Sequence, residues 1–534
     1  MTSLTGTRTL IRLALRRDRI ILPIWVYAYL IVAYTNPVSI HKLYPTQAAL
    51  DAAANGIGTN PALVAMAGPA VDLNSLGGFS AWKFVLFAAL GAGLMSILTI
   101  TRHTRAEEET GRLELLGAGV LGRKAPLTAA VTLALLANLA LGIVTAIGAT
   151  LGGTPFTGSF AYGVSIAAAG WAFTGIAALT AQLSQSARTC TGIAIAVLGA
   201  SYVLRVIGDT AGPHGPGWLT WTNPIGWALN FHPYSGPRWW IVPIALATTA
   251  ACTALGYVLT NHRDFAAGLL ADRPGPTTAT PRLRSPLALA TRLHLGLFTA
   301  WAIGFALAGF ALGTITNSIG SIISGSPQVA TALQHLGGQT GLTNAYLAAI
   351  LNLTGMIAAI YTVQATLRLR GEETSGRIEP LLATTVSRTR LAASHLTYAF
   401  AGTAALMAIV GVTTGIGAGL TTHQLGSQLG HDLTAALLQT PAAWTLAGIA
   451  IAITGLLPSY SNTAWAAIAM VILIGELGPV IRLNHWAMDI SPFTHLPKLP
   501  GGTITATPLI WLVLIAAALT ATGLTAFRRR DIST

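Results

Sequence analysis

RAEEETGRLELLGAGVLGR, residues 105–123, and RGEETSGRIEPLLATTVSR, residues 370–388, read as two copies of one segment. At a constant offset of 265, Arg105, Gly111, Arg112, Glu114, Leu116, Ala118 and Arg123 fall on Arg370, Gly376, Arg377, Glu379, Leu381, Ala383 and Arg388. A second match joins the segments that open each half: at an offset of 276, Arg8, Arg16 and Trp25 fall on Arg284, Arg292 and Trp301. The chain reads as a tandem duplication, each half a short basic segment followed by long apolar runs.

Those runs set the fold class. Of 534 residues, 53% are apolar and only 9% are charged, against roughly a quarter in soluble domains. A soluble core of this length could not cover its wet surface with so few charges, and a disordered chain would not be so apolar. Stretches of about 20 apolar residues, enough to cross a bilayer, occur near 20–40, 82–103, 125–151, 158–183, 190–208 and 239–261, and again near 295–316, 343–367, 391–419, 434–457, 463–483 and 507–527. The expectation is an all-α polytopic membrane protein with twelve transmembrane helices in two six-helix repeats.

The cations orient it. With the N-terminus in the cytoplasm, 24 of the 30 Lys and Arg residues fall in cytoplasmic segments, as the positive-inside rule requires. The net charge of +13 is then a topology signal along one membrane face, and nucleic acid drops out as a partner. Trp218, Trp221, Trp227, Trp239, Trp240 and Trp486 gather on the other side, as an aromatic belt would. An even number of spans per half makes the repeats parallel, with both termini cytoplasmic in a multi-pass protein of the cell membrane. Pro274, Gly275, Pro276 and Pro281 mark the join, giving a first half at 1–265, a cytoplasmic linker at 266–285 and a second half at 286–534. TRTLIRLALRRDR, at 7–19, sets Arg8, Arg12, Arg16 and Arg19 on one helical face. It suits a helix lying in the headgroup layer or a plain basic flank.

Acid is scarce and concentrated. Seven of the eight glutamates lie in the two repeated loops: Glu107, Glu108, Glu109, Glu114, Glu372, Glu373 and Glu379. Glu108 precedes Arg112 by four residues and Glu373 precedes Arg377 by four, the favourable order for helical ion pairs. A loop that only sets topology has no use for acid. A short amphipathic helix that docks into a partner's groove fits better.

Within the membrane, ionisable residues are costly and mark candidate sites. Glu476 lies in the eleventh span, and Arg205 near the outer end of the fifth, four residues before Asp209. Arg205 is expected to pair with Asp209 and to meet Glu476 across the pseudo-twofold. Asn352 and Tyr361 put polar groups on the eighth span, as pathway lining or as interhelical contacts. These four are the candidate substrate pathway, otherwise apolar and suited to hydrophobic small molecules. His232 and His495 sit in aromatic, proline-rich stretches before the sixth and twelfth spans, without metal-ligand spacing. No catalytic or metal-binding residue is assigned.

EExxGRxExL between spans two and three of a six-span unit resembles the coupling region of ABC-2-type exporter permeases. The doubled form resembles the fused twelve-span actinobacterial multidrug and polyketide-antibiotic export permeases, over nearly the whole chain. The resemblance implies a type V exporter-like fold and export of hydrophobic drugs or antibiotics. It also implies no ATPase activity in this chain: two copies of a separate nucleotide-binding subunit carry ATP and Mg and dock under the loops. That docking role falls on Glu108, Glu109, Gly111, Arg112 and Glu114, and on Glu372, Glu373, Gly376, Arg377 and Glu379. Pro380 stands where the first copy has Leu115, so the two coupling helices are expected to start at different points. The alternative is a proton-coupled secondary multidrug transporter of major-facilitator type, which also has twelve spans and parallel halves. The long glutamate-rich loop and the near absence of membrane-embedded acids disfavour it.

Overall fold

Runs of Ala, Leu, Ile, Val and Gly in lipid leave the backbone no partner but itself, so they coil into helices. The computed structural model describes residues 3–58, 63–64, 67–113, 121–210, 215–263, 267–269, 277–278, 280, 283–316, 338–477, 484–497, 499–502 and 504–531, and the regular structure among them is helical. Side chains are described for all of these except 56–58, 338–340, 342–343 and 476–477.

The chain divides into two compact units. The first holds α1 (Thr7–Arg17), α2 (Ile21–Leu43), α3 (Gln47–Gly58), α4 (Leu76–His103), α5 (Arg105–Glu109), α6 (Ala125–Leu151), α7 (Phe156–Thr180), α8 (Ala187–Thr210), α9 (Pro224–Leu229) and α10 (Ile241–His262). The second holds α11 (Pro286–Ile315), α12 (Gly338–Thr374), α13 (Glu379–Leu382), α14 (Arg388–Thr422), α15 (Leu425–Leu437), α16 (Thr440–Leu456), α17 (Ala464–Leu477), α18 (His485–Met488) and α19 (Ala506–Arg529). Serine side chains start three of the long helices. Ser75, Ser285 and Ser387 accept from the N–H groups of Gly78, Ala288 and Arg390, relieving donors that have no partner inside the helix.

Eleven helices among the described residues are long and apolar enough to cross a membrane, and the chain is a polytopic membrane protein. Six of them, in the first unit, answer the six spans expected there, and five lie in the second. The expected span at 463–483 is met by α17, whose 14 residues extend about 21 Å, short of a hydrocarbon core; residues 478–483 lie outside those described. The expected tenth span is longer than its apolar run. It begins at Leu425, breaks at Leu438 and Gln439, and continues to Leu456.

Close backbone approach packs the helices within each unit. A Cβ on Gly163 of α7 would stand 2.1 Å from the Gly142 carbonyl oxygen of α6. A Cβ on Gly455 of α16 would stand 2.3 Å from the Gly523 carbonyl oxygen of α19. On α14, Gly411, Gly415 and Gly419 recur every four residues, and each would place a Cβ within 2.8 Å of a leucine Cα of α15: Leu433, Leu429 and Leu425 in turn. The descending order makes α15 antiparallel to α14. Small residues take this place where lipid gives no hydrophobic drive for helices to associate. In the first unit a polar knot adds to it: Asn138 donates to Ser96 Oγ at 2.8 Å, and Ser96 donates to the Gly170 carbonyl at 2.9 Å, joining α4, α6 and α7.

Gly455→Val forces α16 away from a backbone atom that cannot yield, at a cost of about 1–3 kcal/mol. Gly296→Ala, where a Cβ meets nothing within 4 Å, leaves stability unchanged or raises it. Thermal unfolding of the detergent-solubilised chain should separate the two; equal midpoints would rule out tight α16–α19 contact.

Candidate functional site

The repeated loops end their helices the same way. Thr104 interrupts the first unit's helix and α5 adds one more turn, whereas α12 runs unbroken to Thr374. Gly111 and Gly376 then both take φ 70°. Their N–H groups bond back to the carbonyls of Glu108 and Glu373, each at 3.0 Å, which closes a helix with a left-handed residue. Nothing lies within 4 Å of where a Cβ would be at either position. Glycine stands there for its backbone angle and not for want of room.

The reversal changes the ion pairs. The expected i,i+4 pairs of Glu108 with Arg112 and of Glu373 with Arg377 do not form, because the helix has ended before the arginine. Arg112 instead lies 3.9 Å from Glu107, and Arg377 lies 3.4 Å from Glu372. Both arginine side chains are largely exposed, at 60% and 65%.

Glu108 and Glu373 face inward. Glu108 Oε2 receives Arg105 Nη1 at 2.8 Å, and its two oxygens receive Arg263 Nη2 and Nη1 at 2.8 and 2.9 Å. Glu373 Oε2 receives Arg530 Nη2 at 2.7 Å and lies 2.9 Å from Arg370 Nη1 as an ion pair. The two sets match residue for residue. Arg105 and Arg370 stand three residues before the glutamate. Arg263 and Arg530 each follow the last helix of their unit, α10 and α19. The match extends to the backbone: Arg123 donates to the Arg263 carbonyl at 2.7 Å, and its counterpart Arg388 donates to the Arg530 carbonyl. The free carbonyls at a helix C-terminus attract such cations. Each loop is thus latched to the end of its unit's last helix by an Arg–Glu–Arg triad around a buried glutamate and by a third arginine.

The remaining loop acids differ. Glu109 is exposed and accepts from the Ala187 N–H at 3.0 Å, at the start of α8. Glu372 is largely buried, between Arg368 at 3.4 Å and Arg377. Glu379 is exposed at the head of α13, with Pro380 in the first turn, where proline is tolerated. Glu114 lies outside the described residues.

The start helix closes the first unit's loop from the other side. Asp18, between α1 and α2, is 2% exposed. It holds Arg102 at 2.9 Å and His103 at 2.6 Å, while Arg17 pairs with Glu107. Burial pushes the Asp18 carboxyl up, but the hydrogen bond and charge of His103, with Arg102 and Arg17, outweigh it and hold the group below its ordinary value. At the offset of the half starts, His294 takes the place of Asp18. It bonds to His395 at 3.0 Å and stacks on Tyr398, ring centroids 5.0 Å apart.

The pathway candidates scatter. Arg205 is fully buried in the first unit, 3.5 Å from Asp209, as expected, and it also bonds to the Val64 carbonyl at 3.2 Å. Tyr361 is fully buried in the second unit and donates to the Tyr398 carbonyl at 3.0 Å, a contact that holds α12 to α14. Asn352 lines a cavity of the second unit. The side chain of Glu476 is outside those described, and with it the expected pairing with Arg205.

A family model described as the C-terminal domain of the multidrug efflux system permease Rv1217c matches residues 283–528. The multidrug efflux system permease protein Rv1217c of Mycobacterium tuberculosis (strain ATCC 25618 / H37Rv) is 42% identical over 529 residues, covering 99% of this chain and 95% of the relative. The chain belongs to the Rv1217c family of multidrug efflux permeases. Most of the second unit of the permease falls within the matched domain.

Three functional-looking residues of the permease escaped the sequence. Arg263 and Arg530 read as ordinary positive flanks; the missed signal is that each directly follows the last span of its half. Asp432 lies outside the expected tenth span, whose apolar run starts near 434. The helix starts earlier, so Asp432 is fully buried on α15, and among the described residues neither of its carboxylate oxygens has a hydrogen-bond partner. Among the described residues no three His, Cys, Asp or Glu side chains gather as metal ligands would.

Glu108→Ala strands buried Arg105 and the largely covered side chain of Arg263, a loss of about 3–5 kcal/mol. Glu109→Ala on the exposed rim costs about 0.5 kcal/mol or less. Thermal unfolding reads both, and equal effects would rule out the triad. Asp18 has a lowered pKa in the fold, so its stabilisation is complete above the unfolded value of about 3.9 and is lost as pH falls through the folded value. The midpoint difference between the natural chain and Asp18→Asn should therefore be widest at neutral pH and close below about pH 4; a difference constant across the range would contradict the ion cluster.

Proposed function

We propose that the permease is the membrane subunit of an ATP-binding-cassette exporter that moves hydrophobic drugs or antibiotics out of the cell. ATP and Mg are held by two copies of a separate nucleotide-binding subunit. One observation carries the reading: a loop with the same buried glutamate, exposed arginine and left-handed glycine occurs twice, each time latched to its unit's last helix, in a chain 42% identical to a multidrug efflux permease. In this reading the two units are parallel six-span repeats, with α17 and the residues after it as the eleventh span and 266–285 as a cytoplasmic linker. Both termini and both loops face the cytoplasm of a cell-membrane protein.

The geometry divides the labour among the loop residues. Arg112, Arg377, Glu109 and Glu379 are exposed and form the docking face, with Glu114 as the partner of Glu379 in the repeat. Gly111 and Gly376 turn the chain so that the arginines project. Glu108, Glu372 and Glu373 do not touch the ATPase; they position the loop. A push on the first loop passes by the triad to α10 and by Glu109 to the start of α8. At the position of Glu109 the second loop has Thr374, so the second push lacks that route and travels by the triad and the packing around it.

Arg112→Glu with Arg377→Glu should leave the permease folded, because both side chains project into solvent. The reversed charges should abolish co-purification with the co-expressed ATPase subunit and lower drug-stimulated ATP hydrolysis by about tenfold or more, the change expected from losing two charged contacts at a docked face. Normal co-purification and normal stimulation would sink the docking assignment.

A further inference from the structure

The helix that opens the first unit, α1, has two unlike sides. Its inner side meets the first repeated loop. Ala14 is buried, Arg17 pairs with Glu107, and Leu10 and Arg17 line a narrow cleft with Leu113 and Pro126. The residues ahead of α1 hold the other end of the same loop. The Thr5 and Ser3 carbonyls accept from the Gly122 and Lys124 N–H groups, each at 3.0 Å. A Cβ on Gly122 would stand 2.3 Å from the Ser3 carbonyl carbon, so the two segments lie in direct contact.

The outer side of α1 meets nothing within the protein. Arg8, Arg12 and Arg16 recur every four residues, and Arg19 follows. All four are exposed, and among the described residues none of their guanidinium groups has an ion pair or a hydrogen bond. The nearby acids are already taken, Asp18 by Arg102 and His103, and Glu107 by Arg17. Large apolar side chains stand among these arginines. Leu15, seven residues and about two turns after Arg8, shares its edge and is 47% exposed; Ile20 is 64% exposed. A side that shows arginine and leucine together suits a bilayer interface, where the apolar groups reach the acyl boundary and the cations stay at headgroup level. α2, long and apolar enough to cross a membrane, starts at Ile21, which keeps the end of α1 at the membrane surface.

We propose that the outer side of α1 binds the headgroups of anionic phospholipids, and that this contact steadies the first repeated loop through Arg17 and the Ser3–Thr5 segment. Phosphate oxygens are the complementary partners of guanidinium groups. A basic residue close to an anionic membrane surface gains roughly fivefold in affinity. Arg8, Arg12 and Arg16 take the phosphates, and Leu15 and Ile20 enter the acyl boundary beside them. A bilayer without anionic lipid leaves the three arginines unpaired and α1 freer to lift from the loop. The choice of the cytoplasmic leaflet rests on the topology proposed above; the binding rests on α1 alone.

The test is amide hydrogen exchange on the full chain in nanodiscs without ATPase, so that a failure of the exporter reading cannot mimic a failure of the lipid surface. Nanodiscs of phosphatidylcholine are compared with nanodiscs of phosphatidylcholine mixed with phosphatidylglycerol. Phosphatidylglycerol should slow exchange in Leu10–Arg17 and in Glu108–Gly111 by about fivefold or more, and high salt should remove most of the difference. Arg8→Gln with Arg12→Gln and Arg16→Gln should abolish the difference at both places, while the same three positions changed to Lys keep it. Arg17→Gln should keep it in α1 and reduce it in the loop. Equal exchange of the natural chain in both lipids would overturn the lipid surface, as would protection of α1 that appears only when the ATPase subunit is added. An undiminished difference in the triple glutamine variant would overturn the role of the arginines. Slowed exchange in α1 with an unchanged loop would overturn the link between them.

Discussion

A glutamate carboxylate buried between two arginines is the interaction on which the position of both repeated loops of this permease depends. Taking three charges out of water costs several kcal/mol per ion, and mutual attraction returns it only when the geometry is good. The triad is therefore a poor way to gain net stability and a strong way to forbid alternatives. An arginine left behind without its carboxylate is far more costly than the assembled set. Glu108 between Arg105 and Arg263, and Glu373 between Arg370 and Arg530, leave each loop one low-energy position against the end of its unit's last helix. Arg123 and Arg388 add a backbone contact to the same residue from the far side of the loop.

The same scaffold carries different chemistry around the latch in the two halves. Asp18 with Arg102 and His103 occupies the place of His294 with His395 and Tyr398. The first uses full charges that bind α1 against the end of α4; the second uses ring stacking and one hydrogen bond. The first helix into the loop breaks at Thr104, and the second is continuous to Thr374. Both loops hold the triad and its glycine, while their surroundings differ.

Much of this was legible in the sequence, for physical reasons. A bilayer admits only helices of a certain length, so counting apolar residues located the spans wherever the run was long. It failed where a helix continued past its apolar run, as at Leu425–Leu433, which brings Asp432 inside. The repeated loop stood out, because a topology signal needs cations alone and these loops hold acid. The direction of each acid was not legible. Helical spacing paired Glu108 with Arg112, but one left-handed glycine moved the pairing to Glu107 and turned Glu108 toward Arg263, 155 residues away in sequence. Long-range partners of this kind leave no local period to read.

The latch is tested most directly by a double-mutant cycle at Glu373 and Arg530, far apart in sequence and joined only by the fold. Thermal unfolding and drug efflux are measured for Glu373→Arg, Arg530→Glu and the exchanged pair. If the triad fixes the loop, each single reversal is destabilising and loses efflux, and the exchanged pair recovers a large part of both. If the two residues do not interact, the losses add, and the exchanged pair is worse than either single variant.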